Sequence, residues 1–429
     1  MNEMIKCDRT NRVLIGMEQG IELLNRCANS LNVVIISQIR GPLTAAILTQ
    51  SLTLVRDRHP RLRSRIVTSS NGLQFETEGT QAIPLQVITN SEPGFWQTVV
   101  VSELNTVFES DRGLIRAILI NSTEDREQHY LITTIHHVII DGISGVRLHS
   151  EILQCCQMLA LGREITNFPR LPVLPSLEEL IANREKKKPE LQKPIQDIQT
   201  LPIEKCVPYQ ERQCQIANRV LDIALTGTII KSCKTQQATV HGAVGAAMML
   251  ALAEEINRDE KGIYLSCLSP VDLRKRLNPP VGDENIAIAY SVLKSFHHLN
   301  EVTSFWDLAR DVSQQIKERL ETEEIYNSIL NYKERTELRL EHPELTSSSI
   351  FVTNIGQVSI ASNYEPFELE EISYAVSTTA MGSVFGVAVS TWKRKMTLNF
   401  IWVEPLVNRE TIEGAIAKTI SYLSNFCKA

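Results

Sequence analysis

A surplus of positive charge is the first thing this chain lacks. Its 429 residues carry 44 Lys and Arg against 50 Asp and Glu, a formal net charge of −6. That balance excludes the basic face on which non-specific nucleic-acid binding depends. A membrane-spanning run is missing too. The longest apolar stretch, Val240 to Ala253, is 14 residues and includes His241. A bilayer needs about 20, so the stretch reads as a buried helix. No signal core follows Met1-Asn2-Glu3-Met4-Ile5-Lys6, and the expected location is cytoplasmic. None of the nine cysteines sits in a C-x-x-C pair, and no Cys/His cluster has zinc spacing. They read as free thiols of a reducing compartment, with no metal site.

What is present is ordinary globular composition, 43% hydrophobic and 22% charged, which excludes a disordered, collagenous or coiled-coil protein. The length exceeds the roughly 250–300 residues at which a single core stops growing, so two packed units are expected. Seven of the 17 prolines fall between Arg163 and Gln213, together with the charged run Arg184-Glu185-Lys186-Lys187-Lys188. That run reads as a solvated face. The stretch predicts a linker or crossover at 163–215, between an N-terminal subdomain over 1–162 and a C-terminal subdomain over 216–429.

Periodicity gives mixed α/β content in both halves. In the first, strands are expected at Asn32–Gln38, Leu114–Ile120 and His129–Ile140. Helices are expected at Leu43–Arg56 and Ser144–Leu161, and a hairpin turns at Asn71-Gly72. In the second, strands are expected at Ala217–Ile223, Gly262–Leu268, Ile350–Thr353, Ser373–Ser377, Val384–Trp392 and Met396–Trp402. Helices are expected at Thr228–Thr235, Val240–Ile256, Ser304–Glu321, Glu324–Leu338 and Thr411–Phe426, with a short one at Leu177–Asn183. The turn Lys393-Arg394-Lys395 reads as a charged hairpin tip kept in water; an acidic partner or a phosphate is the alternative.

The chemistry concentrates in Tyr130-Leu131-Ile132-Thr133-Thr134-Ile135-His136-His137-Val138-Ile139-Ile140-Asp141-Gly142. An apolar strand carries two adjacent histidines, then an Asp-Gly turn, then a helix. Neighbouring side chains on a strand point to opposite faces. His136 would therefore share a face with Ile132 and Thr134, and His137 with Thr133 and Ile135, so the pair cannot share one task or one metal. On spacing alone, two core histidines and a catalytic site are equally good readings.

His136-His137-Val138-Ile139-Ile140-Asp141-Gly142 resembles the His-His-x-x-x-Asp-Gly hallmark of the chloramphenicol-acetyltransferase-like superfamily. This includes condensation domains, alcohol acetyltransferases and polyketide-associated acyltransferases such as phthiocerol dimycocerosyl transferase. Gly41-Pro42-Leu43 and Arg58-His59-Pro60-Arg61-Leu62-Arg63 are similar to the family's opening. Pro270-Val271-Asp272-Leu273-Arg274 resembles the segment that supplies an arginine to the signature aspartate. Thr353-Asn354-Ile355-Gly356 resembles the Ser/Thr-Asn-x-Gly strand of the alcohol acetyltransferase and polyketide-associated branch. The plant branch's Asp-Phe-Gly-Trp-Gly is not matched, Gly382-Ser383-Val384-Phe385-Gly386 being nearest. No carrier attachment site or adenylation motif appears, so a stand-alone unit is expected.

The resemblance implies an α/β fold of mixed sheets, with two subdomains side by side and a tunnel between them. It implies His137 as general base for transfer of an acyl group from a thioester, acyl-CoA or acyl-carrier protein, to an alcohol. No cofactor would be bound permanently, no cysteine would take part, and a monomer is expected. Asp141 would pair with Arg274 as structural support instead of orienting His137, a bidentate Asp–Arg pair making a rigid joint. His136 would support the strand from its far face. The Gly142 N–H is a candidate oxyanion donor, and Thr353, Asn354 and Gly356 are candidate tunnel residues. Two other functions remain open: an amide-forming, trans-acting condensation enzyme, and a catalytically silent module that binds a carrier protein.

Overall fold

The computed structural model describes residues 10–163, 168–181, 198–256, 262–344 and 346–427. The Arg184–Lys188 run lies outside them. In the first half the elements are α1 (Gly16–Ala28), β1 (Asn32–Arg40), α2 (Ala45–Arg58), β2 (Arg65–Ser69), β3 (Gly72–Glu76), β4 (Leu85–Thr89), α3 (Phe95–Asn105), β5 (Ile115–Asn121), β6 (Gln128–His136) and α4 (Gly142–Ala160). The short α5 (Leu177–Leu180) follows. The second half contains β7 (Gln213–Leu221), α6 (Ile223–Thr235), α7 (Val240–Glu255), β8 (Ile263–Asp272), β9 (Tyr290–Leu299), α8 (Phe305–Leu320), α9 (Glu324–Leu330) and α10 (Tyr332–Glu341). It closes with β10 (Ile350–Gln357), β11 (Asn363–Tyr364), β12 (Phe367–Val376), β13 (Phe385–Trp392), β14 (Lys395–Glu404) and α11 (Arg409–Phe426).

Two six-stranded sheets organise the molecule, in the orders β11-β12-β1-β6-β5-β4 and β7-β14-β13-β10-β8-β9, besides the β2-β3 hairpin. Both mix parallel and antiparallel pairs. The Asn32–Arg40 run is buried almost throughout because helices cover its sheet on both sides: Ile35 packs against Gly145 of α4, and Asn32 bonds the Glu103 carbonyl of α3. A strand buried on two faces reads as a continuous apolar run. The sheets do not follow the linear division expected at 163–215. Residues 368–376, from the second half, pair with β1 in the first sheet, Val33 opposite Val376, and β11 pairs with β12 at the sheet's edge.

The apolar Val240–Ala253 stretch forms α7, buried against α8: a Cβ on Gly242 would meet the Ala309 carbonyl at 2.4 Å. No helix among the described residues is long and apolar enough to cross a membrane. Lys393 and Arg394 take left-handed φ values of 45° and 66° between paired Trp392 and Lys395. This two-residue turn matches the twist of its strands.

Several expected bounds move. β6 ends at His136, and 137–140 form the turn. Asp141 is then the N-cap of α4, accepting from the Ser144 N–H at 2.9 Å, and Gly142 is its first residue. A buried carboxylate on the first amides of a helix stops the strand reading earlier than apolar character suggests. The helix expected over Glu324–Leu338 divides at Asn331.

Candidate active site

His137 begins the turn, its N–H donating to the Leu31 carbonyl at 3.1 Å. Its Nδ1 lies 2.6 Å from the Ile140 carbonyl oxygen. A carbonyl only accepts, so Nδ1 carries the proton and Nε2 keeps its lone pair. The ring stacks on Tyr290 at a centroid distance of 5.1 Å. Burial pushes the imidazolium pKa below its ordinary value, against the opposing pull of the Ile140 carbonyl and Asp141. The neutral form is thereby favoured.

Asp141 turns away from that ring. Both carboxylate oxygens accept from Arg274 Nη2, at 2.7 and 2.8 Å, and Oδ2 also accepts from the Ala289 N–H at 3.1 Å. The same Nη2 reaches Ser144 Oγ at 2.6 Å, while Nη1 goes to Asp272 at 2.8 Å. The pairing is thus a chelation by one nitrogen, not the two-nitrogen fork expected from the residue types. Arg274 divides its fork between two carboxylates, and its buried Nε has no partner among the described residues. Burial alone would raise the Asp141 pKa; Arg274 and two backbone N–H groups hold it below the ordinary value instead.

His136 ends β6 on the opposite side. Its Nε2 donates to Glu22 of α1 at 2.8 Å, and its Nδ1 accepts from the Val138 N–H at 3.1 Å. Both nitrogens are occupied. Glu22 is fully buried and also accepts from Ser110 Oγ at 2.5 Å and Arg26 at 2.6 Å. Against its burial, these three partners hold its pKa down.

The second half reaches the signature through Tyr374 of β12. Its hydroxyl donates to the Thr353 carbonyl at 2.9 Å and lies 3.0 Å from Thr353 Oγ1. A Cβ on Gly142 would stand 3.0 Å from the Tyr374 ring and 3.3 Å from Ile355. The glycine therefore admits an aromatic ring. Thr353 and Gly142 are brought together by this ring. Asn354 and Gly356 sit one step further out. Asn354 Oδ1 accepts the Gly356 N–H at 2.8 Å, Gly356 has φ +71°, and the β10–β13 register slips there. Such a bulge re-aims the residues around it.

A cleft open to solvent borders the signature turn at Val138 and Ile139. Pro172, Pro175, Ala287 and Ile288 also line it; His137 does not. Sequence reasoning missed Glu22, Tyr290 and Tyr374. Tyr290 opens β9, whose buried face carries Ser291, Ser295 and His297. Polar residues on the inner face hide the alternation that would have marked a strand.

Comparison with known proteins adds to this geometry. Residues 210–402 match the family model described as phthiocerol/phthiodiolone dimycocerosyl transferase C-terminus. Polyketide synthase associated protein 5 from Mycobacterium tuberculosis superposes with TM-score 0.69 at 17% identity, covering 97% of this chain and 100% of that one. For trichothecene 15-O-acetyltransferase from Fusarium sporotrichioides the values are 0.75 and 12%, over 97% and 95%. The first condensation domain of the CDA synthetase gives 0.70 and 14%, over 98% and 97%.

The chain has the chloramphenicol-acetyltransferase-like fold.

That fold is shared with the acyltransferases and condensation domains among these solved structures. Arg274 and Thr353–Gly356 fall inside the matched C-terminal stretch, and the His136–Gly142 signature precedes it. Among curated proteins, a hybrid PKS-NRPS synthetase from a Fusarium species is 28% identical over 126 residues, 28% of this chain and 3% of that protein. Another from Penicillium oxalicum is 25% identical over 154 residues, 32% of this chain and 4% of that protein. The chain thus spans only a few hundredths of the length of these relatives.

Proposed function

We propose that this protein transfers an acyl group from a thioester, on coenzyme A or a carrier protein, to an alcohol, with His137 as general base. The observation that carries the proposal is the His137 Nδ1–Ile140 carbonyl bond of 2.6 Å. It leaves Nε2 as the acceptor for a substrate proton, on a ring whose charged form is disfavoured by burial. In the reaction, Nε2 takes the hydroxyl proton as the oxygen attacks the thioester carbonyl. The C–S bond then breaks, and the thiolate takes the proton back from the imidazolium. The transient oxyanion needs donors. The Gly142 N–H supplies one, because the first amides of a helix have no acceptor within it and sit at its positive end. Asp141 and Arg274 position the loop without touching substrate. Thr353, Asn354 and Gly356 shape the substrate passage. The neutral requirement on His137 and its lowered pKa together extend the active pH range below the ordinary imidazole value of about 6.5.

The test is a panel of acyl-CoAs offered with matched alcohols and amines, with products read by mass spectrometry. Ester and free coenzyme A in equal amounts are expected. A dominant amide would replace the alcohol by an amine acceptor, and absence of product from every pair would refute transfer from coenzyme A to small acceptors.

A further inference from the structure

The His137 side chain takes one hydrogen bond from its own half of the chain, between Nδ1 and the Ile140 carbonyl at 2.6 Å. The torsion that turns an imidazole about its bond to Cβ is broad, and a carbonyl oxygen accepts over a wide range of directions. That single bond sets the tautomer but lets the ring plane rock, and Nε2 swings with it. A second constraint comes from Tyr290, which opens β9 in the other sheet. Its ring lies against the imidazole at a centroid distance of 5.1 Å and an interplanar angle of 29°. This is an offset stack of the kind aromatic pairs prefer. A flat face against the ring opposes the rocking that the hydrogen bond permits.

Tyr290 is itself held at both ends. Its neighbour Ala289 donates its N–H to Asp141 Oδ2 at 3.1 Å and accepts from the Leu273 N–H at 2.8 Å. Across the β8–β9 ladder Tyr290 stands opposite Asp272, which takes one arm of Arg274 at 2.8 Å while the other arm reaches Asp141. The joint between the halves therefore closes around the base of Tyr290. At the far end of the side chain its hydroxyl hydrogen-bonds that of Tyr332 on α10. The Tyr332 ring abuts α1: a Cβ on Gly20 would meet it at 2.6 Å. The same helix carries Glu22, which accepts from His136 Nε2 at 2.8 Å. Both histidines are braced in this way, His136 by a carboxylate of its own half and His137 by an aromatic face from the other.

We propose that Tyr290 is the positioning residue of His137: its ring holds the imidazole plane, so that Nε2 keeps one direction as it takes the proton. The imidazolium then formed lies on the π face of the tyrosine, which attracts a cation. The Asp141–Arg274 joint acts on the chemistry by delivering this ring. The inference rests on the acyl-transfer reading for the reaction, and one arm of its test is independent of turnover. In the first arm, Tyr290→Leu and Tyr290→Phe are compared with the wild type on a thioester and alcohol that the wild type converts. Tyr290→Leu should lower kcat about tenfold or more while KM for each substrate stays within about twofold, because ring direction matters to proton transfer and not to binding. Tyr290→Phe keeps the ring and should restore most of the rate. In the second arm, histidine labelled with 13C at Cε1 is followed by NMR relaxation, the His137 signal being assigned by its loss in His137→Ala. The His137 ring should be rigid in the wild type and in Tyr290→Phe, and broadened by exchange in Tyr290→Leu. Tyr290→Met takes the place of the leucine variant should that one not melt cooperatively. A leucine or methionine variant with the wild-type kcat overturns the proposal, as does a loss confined to KM, a phenylalanine variant as slow as the leucine one, or equal His137 relaxation in all three proteins. A wild type that forms no product from any pair would refute acyl transfer. A His137 ring loosened in Tyr290→Leu but not in Tyr290→Phe would still support Tyr290 as its positioner.

Discussion

The two ends of the signature are fastened by buried carboxylates of different reach. At one end His136 meets Glu22, and that carboxylate is also held by Ser110 and Arg26, all within the first half of the chain. At the other, Asp141 meets Arg274 across 133 residues, and the Ala289 N–H and Ser144 complete the arrangement. The first anchor fixes a strand end inside its own sheet. The second ties the start of α4 to the other sheet. Between them His137 has one nitrogen bound and, among the described residues, one free, whereas His136 has both occupied. Adjacent imidazoles of the same chemistry are therefore bonded differently, according to which nitrogen finds a backbone or carboxylate partner.

That contrast can be broken from either side. Asp141→Ala leaves the Arg274 guanidinium buried without its main counterion, and removing one partner of a buried pair costs about 3–5 kcal/mol. The melting temperature should fall accordingly. Arg274→Met should cost a similar amount. The double variant should cost less than the sum, because the two side chains share one interaction. Additivity would show that the halves are not joined here. Glu22→Gln keeps the shape of the first anchor and loses its charge, with an expected cost of about 1–3 kcal/mol. Its effect on transfer should be smaller than that of any change at His137, since it reaches the site only through the end of β6. Equal losses of activity at Glu22 and His137 would contradict the division of roles.

Acid titration sharpens the comparison further. Asp141 is held below its ordinary pKa, so its contribution is present above about pH 4 and is lost only as the pH falls through the lowered value. Buried His149 and half-buried His241 behave differently. Burial pushes them to about 3 and about 4, and each folds neutral. Below about pH 6.5 the unfolded chain takes up protons that the folded chain refuses, costing about 1.4 kcal/mol per histidine per pH unit. Denaturant midpoints should decline first through the histidines, then through Asp141. In His149→Phe the first decline should be shallower. An unchanged slope would place the acid sensitivity elsewhere.

Much of this site is legible in the linear sequence because its parts are local. The His136–Gly142 spacing, the Arg274 partner and the Thr353–Gly356 segment all lie in short stretches, and the structure gathers them near one another. What is not legible depends on polar residues facing inward. Glu22 and Asn25 sit on the buried side of α1, and Ser291, Ser295 and His297 on that of β9. They interrupt the apolar periodicity from which elements are read. The strand exchange that brings Tyr374 beside Gly142 is a property of chain topology, and no local pattern encodes it. The one-nitrogen chelation by Arg274 follows from a third acceptor, Asp272, taking the other arm of the fork.

The central claim is that a neutral His137, with Nε2 free, moves the proton. Its most direct test is the single-turnover rate of His137→Ala beside the wild type, using any thioester and acceptor pair the wild type converts. The account predicts a loss of about 100-fold or more, the usual worth of a positioned general base. The variant should bind both substrates and melt cooperatively. A His137→Ala protein that is folded, binds substrate and retains most of the rate would contradict it.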